Sequence, residues 1–466
     1  MRIFLGAVTV TMAAARAMAQ PGTPPPDLLV FDTIYNVPEV QDILVDADRN
    51  AVFAAVAPIS PSGEALSDIV RWSLDPVRRA GLWPTGTLVS DLAVTETGLI
   101  YAAGQRGGSL RGKAPPAPRS GSVVSLDPDH PDAQPRLVVT YGDTEGQFSI
   151  PRFNQISVDG RGRIYLAAPT QFSVTVLPGR PEDLQPGTMM PRFLLQCGAP
   201  AQLSLVDAGG QVAYVASTID GASLETGLLD GASASAPACF RVTNVYAHNE
   251  PPPTLSSVVH AVVQDDAGRA DAVVALEPNT GVLHLLRLDA NQRLSRNDWH
   301  DLGAAPGGLT LLSSSRDGSV IFVGGRSESS IQRYRREGDM LVRLGTLRTG
   351  RDLKQIEISA DGSLAVLVMR DADRQDRIHL IHNPAALRDG DQPLKQGGET
   401  LRQVQSQLNE LGYSAGPVDG ILGPQTLHAI QQLELQGDTD GESADFGLKS
   451  RIDGVLLTRP SDGLSE

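Results

Sequence analysis

Two cysteines, eight histidines and 54 carboxylates are the side chains in this 466-residue sequence that could act as nucleophiles, bases or metal ligands. His379 and His382 lie three apart in HLIHNP (379–384). On a strand that spacing points them to opposite faces, so they do not form a metal pair. No His-Glu-x-x-His helix motif and no Gly-x-Ser-x-Gly elbow occurs. Neither Cys197 nor Cys239 has a neighbouring His and acid that would make it a nucleophile. The runs VDADRN (45–50), RDADRQDR (370–377) and GDTDGES (437–443) carry fragments of calcium-loop acid spacing without the full spacing to a terminal Glu. They read as solvated turns. The expectation is no catalytic residue, no metal set and no cofactor.

The elements that would position any chemistry recur. DILVDADRNAVFAAV (42–56), DLAVTETGLIYAAG (91–104) and QISVDGRGRIYLAA (155–168) share one pattern with LSLVDAGGQVAYVAS (203–217), LTLLSSSRDGSVIFVGG (309–325) and QIEISADGSLAVLVM (355–369). A strand enters a turn rich in Asp, Gly and Asn, residues that tolerate positive φ, and a second strand leaves it. The second strand is apolar at nearly every residue, with small Ala or Gly interspersed. A half-exposed strand would alternate, so this one packs on both faces. RWSLDP (71–76), VVSLDP (123–128), VVALEP (273–278) and, more weakly, HLIHNP end in a proline that stops the ladder before the outermost strand. With a degenerate unit near 258, about seven units recur at about 45–50 residues, the spacing of propeller blades.

On this period and hairpin pattern the segment resembles a seven-bladed β-propeller of the YVTN and lactonase-like kind. It lacks the Gly-His and Trp-Asp signatures of WD repeats. DLLVFDTIYN (27–36) precedes the first full unit, and it is expected to pair beside 377–383 and so tie the ends of the array together. The resemblance also implies where an enzyme would work, since lactonase-like propellers hold a metal in the central channel on residues from different blades.

The first residues, MRIFLGAVTVTMAAARAMAQP, combine Arg2, a short apolar stretch from Ile3 to Ala15 and the small residues Ala17 and Ala19. They read as a signal peptide cleaved before Gln20. No later segment is long and apolar enough to cross a bilayer, so the mature chain is expected to carry no integral membrane segment. Export permits a disulfide. Cys197 and Cys239 fall near the ends of successive units and are either bridged or two buried thiols. The formal net charge of −15, with Arg well ahead of Lys, excludes a nucleic-acid partner on electrostatic grounds.

The chain ends in a different kind of unit. In ETLRQVQSQLNELGY (399–413), Leu401, Val404, Leu408 and Leu411 share one helical face, and Gly412 stops the helix. Pro417-Val418-Asp419-Gly420 makes a turn, Pro424 opens a second helix, and Leu427, Ile430 and Leu433 form its stripe. Residues 443–452 can form a third helix capped by Ser443. Val404, Gln405, Leu408, Leu411-Gly412-Tyr413, Val418-Asp419-Gly420, Gly423-Pro424, Thr426 and Ala429-Ile430 match the type 1 peptidoglycan-binding-domain family, which this stretch resembles. The chain departs from the family at Leu433-Glu434, where a Phe-Gln pair is usual. The resemblance implies a shallow groove for muropeptide or glycan, with Tyr413, Asp419, Gly420, Gly423, Gln425 and Thr426 as its candidate residues.

The expected fold is therefore mainly β, a seven-bladed propeller followed by a small three-helix C-terminal domain. Its segments are a signal peptide (1–19), a linker (20–27), the propeller (28–390), a linker (391–398), the peptidoglycan-binding-like domain (399–456) and a tail (457–466). The expected function is a non-catalytic periplasmic protein that holds peptidoglycan through its C-terminal domain and offers the propeller to an unknown protein partner. The alternative is a metal-dependent, lactonase-like propeller hydrolase targeted to the wall.

Overall fold

The computed structural model describes residues 30–387 apart from the segments 58–65, 76, 106–120, 142–154, 169–171, 179–189, 208–210, 219–222, 231–232, 243–256, 266, 305–307, 327, 329, 350–351 and 371–375. It also describes 397–410, 412–418, 425–426 and 428–429. The expected signal peptide, both linkers, the third helix and the tail lie wholly or almost wholly outside the described residues.

Seven four-stranded antiparallel sheets follow one another around a ring. Blade 1 is β2 (Glu39–Asp46), β3 (Ala51–Ala57), β4 (Asp68–Leu74) and β5 (Val77–Pro84). Blade 2 is β6 (Leu88–Val94), β7 (Ile100–Gln105), β8 (Gly121–Leu126) and β9 (Arg136–Tyr141). Blade 3 holds β10 (Gln155–Val158), β11 (Ile164–Ala168), β12 (Ser173–Leu177) and β13 (Arg192–Leu194). Blade 4 holds β14 (Pro200–Asp207), β15 (Val212–Thr218), β16 (Ser223–Asp230) and β17 (Ser233–Arg241). Blade 5 runs through β18 (Val259–Gln264), β19 (Ala270–Glu277), β20 (Val282–Leu288) and β21 (Leu294–Asp301). Blade 6 runs through β22 (Leu311–Ser314), β23 (Ile321–Gly324), β24 (Ser330–Glu337) and β25 (Met340–Arg348). Blade 7 takes β26 (Leu353–Ile358), β27 (Leu364–Arg370) and β28 (Asp376–His382) from the end of the propeller, and its outermost strand is β1 (Val30–Val37). Val30 pairs with His382 and Ile34 with Ile378, so the N-terminal strand closes the ring as expected.

The second strands show how neighbouring blades hold together. Every residue of β3 is buried. Val52, Ala54 and Val56 pack toward blade 7, whereas Ala51, Phe53 and Ala55 pack toward blade 2. Period-two alternation here sorts side chains between two neighbours rather than between core and water. One apolar cluster lies at each of the seven blade junctions. The hairpin turns are held from the first strand. Asp159 Oδ1 accepts N–H bonds from Arg161 and Arg163, both at 2.9 Å, and Gly162 takes φ +77°. Ser315 and Ser359 do the same work with hydroxyls at the matching turns of blades 6 and 7.

Two readings of the sequence need correction. The Leu-acid-Pro signal closes the third strand in blades 1 and 2, but Leu276-Glu277-Pro278 closes β19, the second strand of blade 5. A proline stops any ladder at a hairpin, so the tripeptide does not say which hairpin it ends. The acid run 370–377 is not all solvated turn. Asp376 is fully buried and accepts from Val40 N at 2.7 Å, Lys354 Nζ at 2.6 Å and Arg370 Nε at 3.0 Å, latching blade 7 to blade 1.

Of the C-terminal unit, one helix is fully described, α1 (Gly397–Glu410). Gln425, Thr426, His428 and Ala429 also have helical backbone. No described helix is long and apolar enough to cross a membrane.

Candidate functional site

In α1, Leu408 and Gln405 are buried. The helix ends where Gly412 adopts φ +88° and Tyr413 N donates to Leu408 O at 2.8 Å, a left-handed stop that only glycine makes cheaply. The chain then turns back under two clamps. Asn409 accepts from Ala415 N at 2.8 Å and donates from Nδ2 to Gly416 O at 2.9 Å. Thr426 Oγ1 donates to Ala415 O at 2.9 Å and accepts from Gln405 Nε2 at 3.2 Å. A Cβ on Gly416 would stand 2.5 Å from Gln425 Oε1, so glycine there lets the Gln425 side chain lie across the turn.

The candidate groove residues therefore separate. Gln425 is exposed and Tyr413 half-buried, both beside the clamped turn. Thr426 is buried, 2% exposed, and its hydroxyl links Ala415 O to Gln405. Asp419, Gly420 and Gly423 lie outside the described residues, as do Leu427, Ile430 and Leu433 and the side chains of Leu401, Val404 and Leu411. Asn409, which sequence reasoning missed, is a working part of this turn. Its place two residues before Leu411-Gly412, where a side-chain amide can bind loop backbone, was the available signal.

At the centre of the ring the first strands carry a second set of polar groups. Asp42 Oδ2 accepts from Leu92 N at 2.7 Å, Asp91 Oδ2 from Ile156 N at 2.7 Å and Gln155 Oε1 from Leu203 N at 2.8 Å. Gln202 bonds both the N–H and the carbonyl of His260 at 2.9 Å. Gln355 Nε2 donates to Asp42 Oδ1 at 2.5 Å, joining blade 7 to blade 1. Each group reaches from one blade to the next. The signal was present, because Asp42, Asp91, Gln155, Gln202 and Gln355 all stand immediately before the first apolar residue of their repeat.

Burial pushes the Asp42 carboxyl up to about 6, against hydrogen bonds that favour its charge. Burial, and then the Asp42 charge, hold Asp91 well above the usual carboxylate range. Glu357 on β26 is pushed up to about 8 by burial and by Asp42. The Asp42 and Asp91 side chains are hydrogen-bonded to each other and each accepts from a backbone N–H of the next blade, and among the described residues no third metal-ligating group joins them.

Cys197 and Cys239 are joined as a disulfide, with Cα atoms 5.7 Å apart. It ties the connection leaving blade 3 to β17, the outer strand of blade 4. His379 is buried with Nδ1 3.0 Å from Thr33 Oγ1, while His382 stands 3.4 Å from Asp32 on the other face.

The C-terminal turn has a counterpart among known families. Residues 397–436 match the family described as "Putative peptidoglycan binding domain". No curated protein matches the chain significantly. Among solved structures, the ring resembles the WD40 repeats of RRP9, with a TM-score of 0.52, 12% identity, and coverage of 75% of this chain and 97% of that one. The β-propeller domain of Myceliophthora thermophila Cps50 (Swd1) gives 0.51 at 10% identity, covering 75% and 99%. The "putative 6-phosphogluconolactonase" of Bacteroides fragilis gives 0.49 at 12%, covering 68% and 86%. At such identities the likeness is one of fold alone.

Proposed function

We propose that the chain is an exported, wall-associated protein without catalysis of its own, in which the C-terminal unit binds peptidoglycan and the propeller is a rigid platform for a protein partner. The family match over 397–436 carries this reading. The clamped turn supports it, since Asn409 and Thr426 consume their polar groups internally and leave Gln425 and Tyr413 at the surface. Tyr413 and Gln425, with Asp419, Gly420 and Gly423, would form the contact with glycan or stem peptide. Thr426 acts from beneath as a positioning residue. Backbone N–H groups at a turn and a helix start suit the amide and hydroxyl groups of that polymer. The signal-peptide pattern at residues 1–19 and the ligand class together support a location outside the cytoplasm, in the periplasm.

Retention on purified insoluble sacculi tests this. Full-length protein is expected to sediment with them, whereas a chain ending at residue 395 stays in solution. Equal retention of the two removes the tether.

A further inference from the structure

One set of chemically capable groups belongs to neither the turn nor the ring centre. Glu225 on β16 is fully buried, and it is directly paired across the ladder with Cys239 on β17. Side chains so paired share one face of the sheet. Cys197 reaches the same point from the connection after blade 3. The carboxylate of Glu225 and the two sulfurs lie within 4.8 Å of one another, and no other trio of described metal-ligating groups comes so close. The backbone N–H groups of Gln196 and Cys197 donate to Glu225 Oε2 at 2.6 and 2.7 Å, and Tyr214 OH donates to Oε1 at 2.7 Å. A carboxylate has about four acceptor sites, so these three bonds leave one lone pair free. Among the described residues no Lys or Arg pairs with Glu225, whose carboxyl is held by the three hydrogen bonds above. The Glu225 bond contributes to raising the Tyr214 hydroxyl far above its ordinary range, after burial itself.

We propose that Cys197, Cys239 and Glu225 form a three-ligand site for a thiophilic divalent cation such as zinc, available when the disulfide is reduced. Two sulfurs and one carboxylate oxygen are a zinc-type donor set and a poor one for magnesium or calcium, which take oxygen ligands. The oxidised pair offers no thiolate, so the disulfide keeps the site closed. Opening it takes two electrons from an external thiol. Two R–SH reduce the Cys197–Cys239 bond, each cysteine leaves as a thiol, and the reductant leaves as R–S–S–R. Zinc then displaces the two thiol protons to solvent. Cys239 is exposed, which gives both reductant and metal a route in and leaves a fourth position for water.

The test uses the full chain, reduced by a trialkylphosphine that does not compete as a thiol. The reduced protein is expected to bind about one equivalent of zinc and the oxidised protein none. Cobalt(II) in place of zinc is expected to give thiolate-to-metal charge-transfer absorption in the reduced wild type, a readout that needs no variant. Glu225→Gln is expected to weaken zinc binding about tenfold or more. Cys239→Ser, a change at an exposed position, is expected to abolish the charge-transfer band. The proposal is overturned if the reduced protein binds no zinc, if oxidised and reduced protein bind alike, if the cobalt complex shows no thiolate band, or if Glu225→Gln, folded by its thermal melt, binds as tightly as wild type.

Discussion

Thr33 Oγ1 and His379 Nδ1 stand 3.0 Å apart although 346 residues separate them in the chain. They face each other across β1 and β28, the pair that closes the ring. His379 is 3% exposed and its Nε2 has no hydrogen-bond partner. Burial first, then the nearby Arg377 charge, lower its pKa to about 4.

Because the folded pKa lies below the ordinary 6.5, the fold prefers neutral His379. Its contribution is complete above pH 6.5 and is lost as pH falls toward 4. At pH 5 the loss comes to about 2 kcal/mol. His379→Gln cannot take up a proton there. Denaturant midpoints at pH 7.5 and 5.0 are expected to fall further for wild type than for this variant. Equal falls would show that the closing histidine does not titrate.

Asp376 and Lys354 test the latch between the last blade and the first. Asp376→Ala would leave Val40 N without its acceptor and the part-buried Lys354 ammonium with Val40 O but no counter-charge, at a cost of about 3–5 kcal/mol. Thermal melts should show this as a lower midpoint for the whole ring rather than as an early separate transition. A small, local loss would mean that blade 7 closes without the latch.

The central carboxylates predict the opposite pH dependence to His379. Glu357 has a folded pKa of about 8, raised by burial and by Asp42, so the fold favours its protonated form. The stability this gives is present below pH 4.5 and is lost as pH rises through 8. Glu357→Gln removes that loss and is expected to make the protein more stable than wild type at pH 9, by about 2 kcal/mol. A variant no more stable than wild type at pH 9 would place Glu357 in contact with bulk water.

In the C-terminal turn, two neighbouring substitutions should have different effects. Thr426→Val removes the donor to Ala415 O and the acceptor of the Gln405 Nε2 bond, costing about 1–3 kcal/mol within that unit. Gln425→Ala lies on the surface and should leave the unit folded while reducing retention on sacculi. If Gln425→Ala is retained like wild type, Gln425 is not part of the wall contact.

The blade count was legible because β3 and β11 are apolar at every position and β15 at all but its last two, a pattern that two-sided burial explains. The closing strand could be read from an apolar segment left over before the first full unit. Asp376 could not, because its partner Val40 N is brought to it by ring closure, and no local signal separates such an acid from a solvated turn. Asp42 and Asp91 could be seen to occupy the same repeat position, but their raised pKa values depend on how tightly the inner strands converge. The burial of Thr426 was hidden from the sequence for a related reason. A threonine early in a helix looks like a surface group until the loop it holds, through Ala415 O, is placed.

The order in which the chain is made has a consequence at the seam. β1 leaves the ribosome before any blade, and its partner β28 leaves after the twenty-six strands that lie between them. β1 therefore waits for its ladder partner until the last blade has been made. A ring built this way cannot close before its last blade has been made, so closure of the propeller is a late step in its folding.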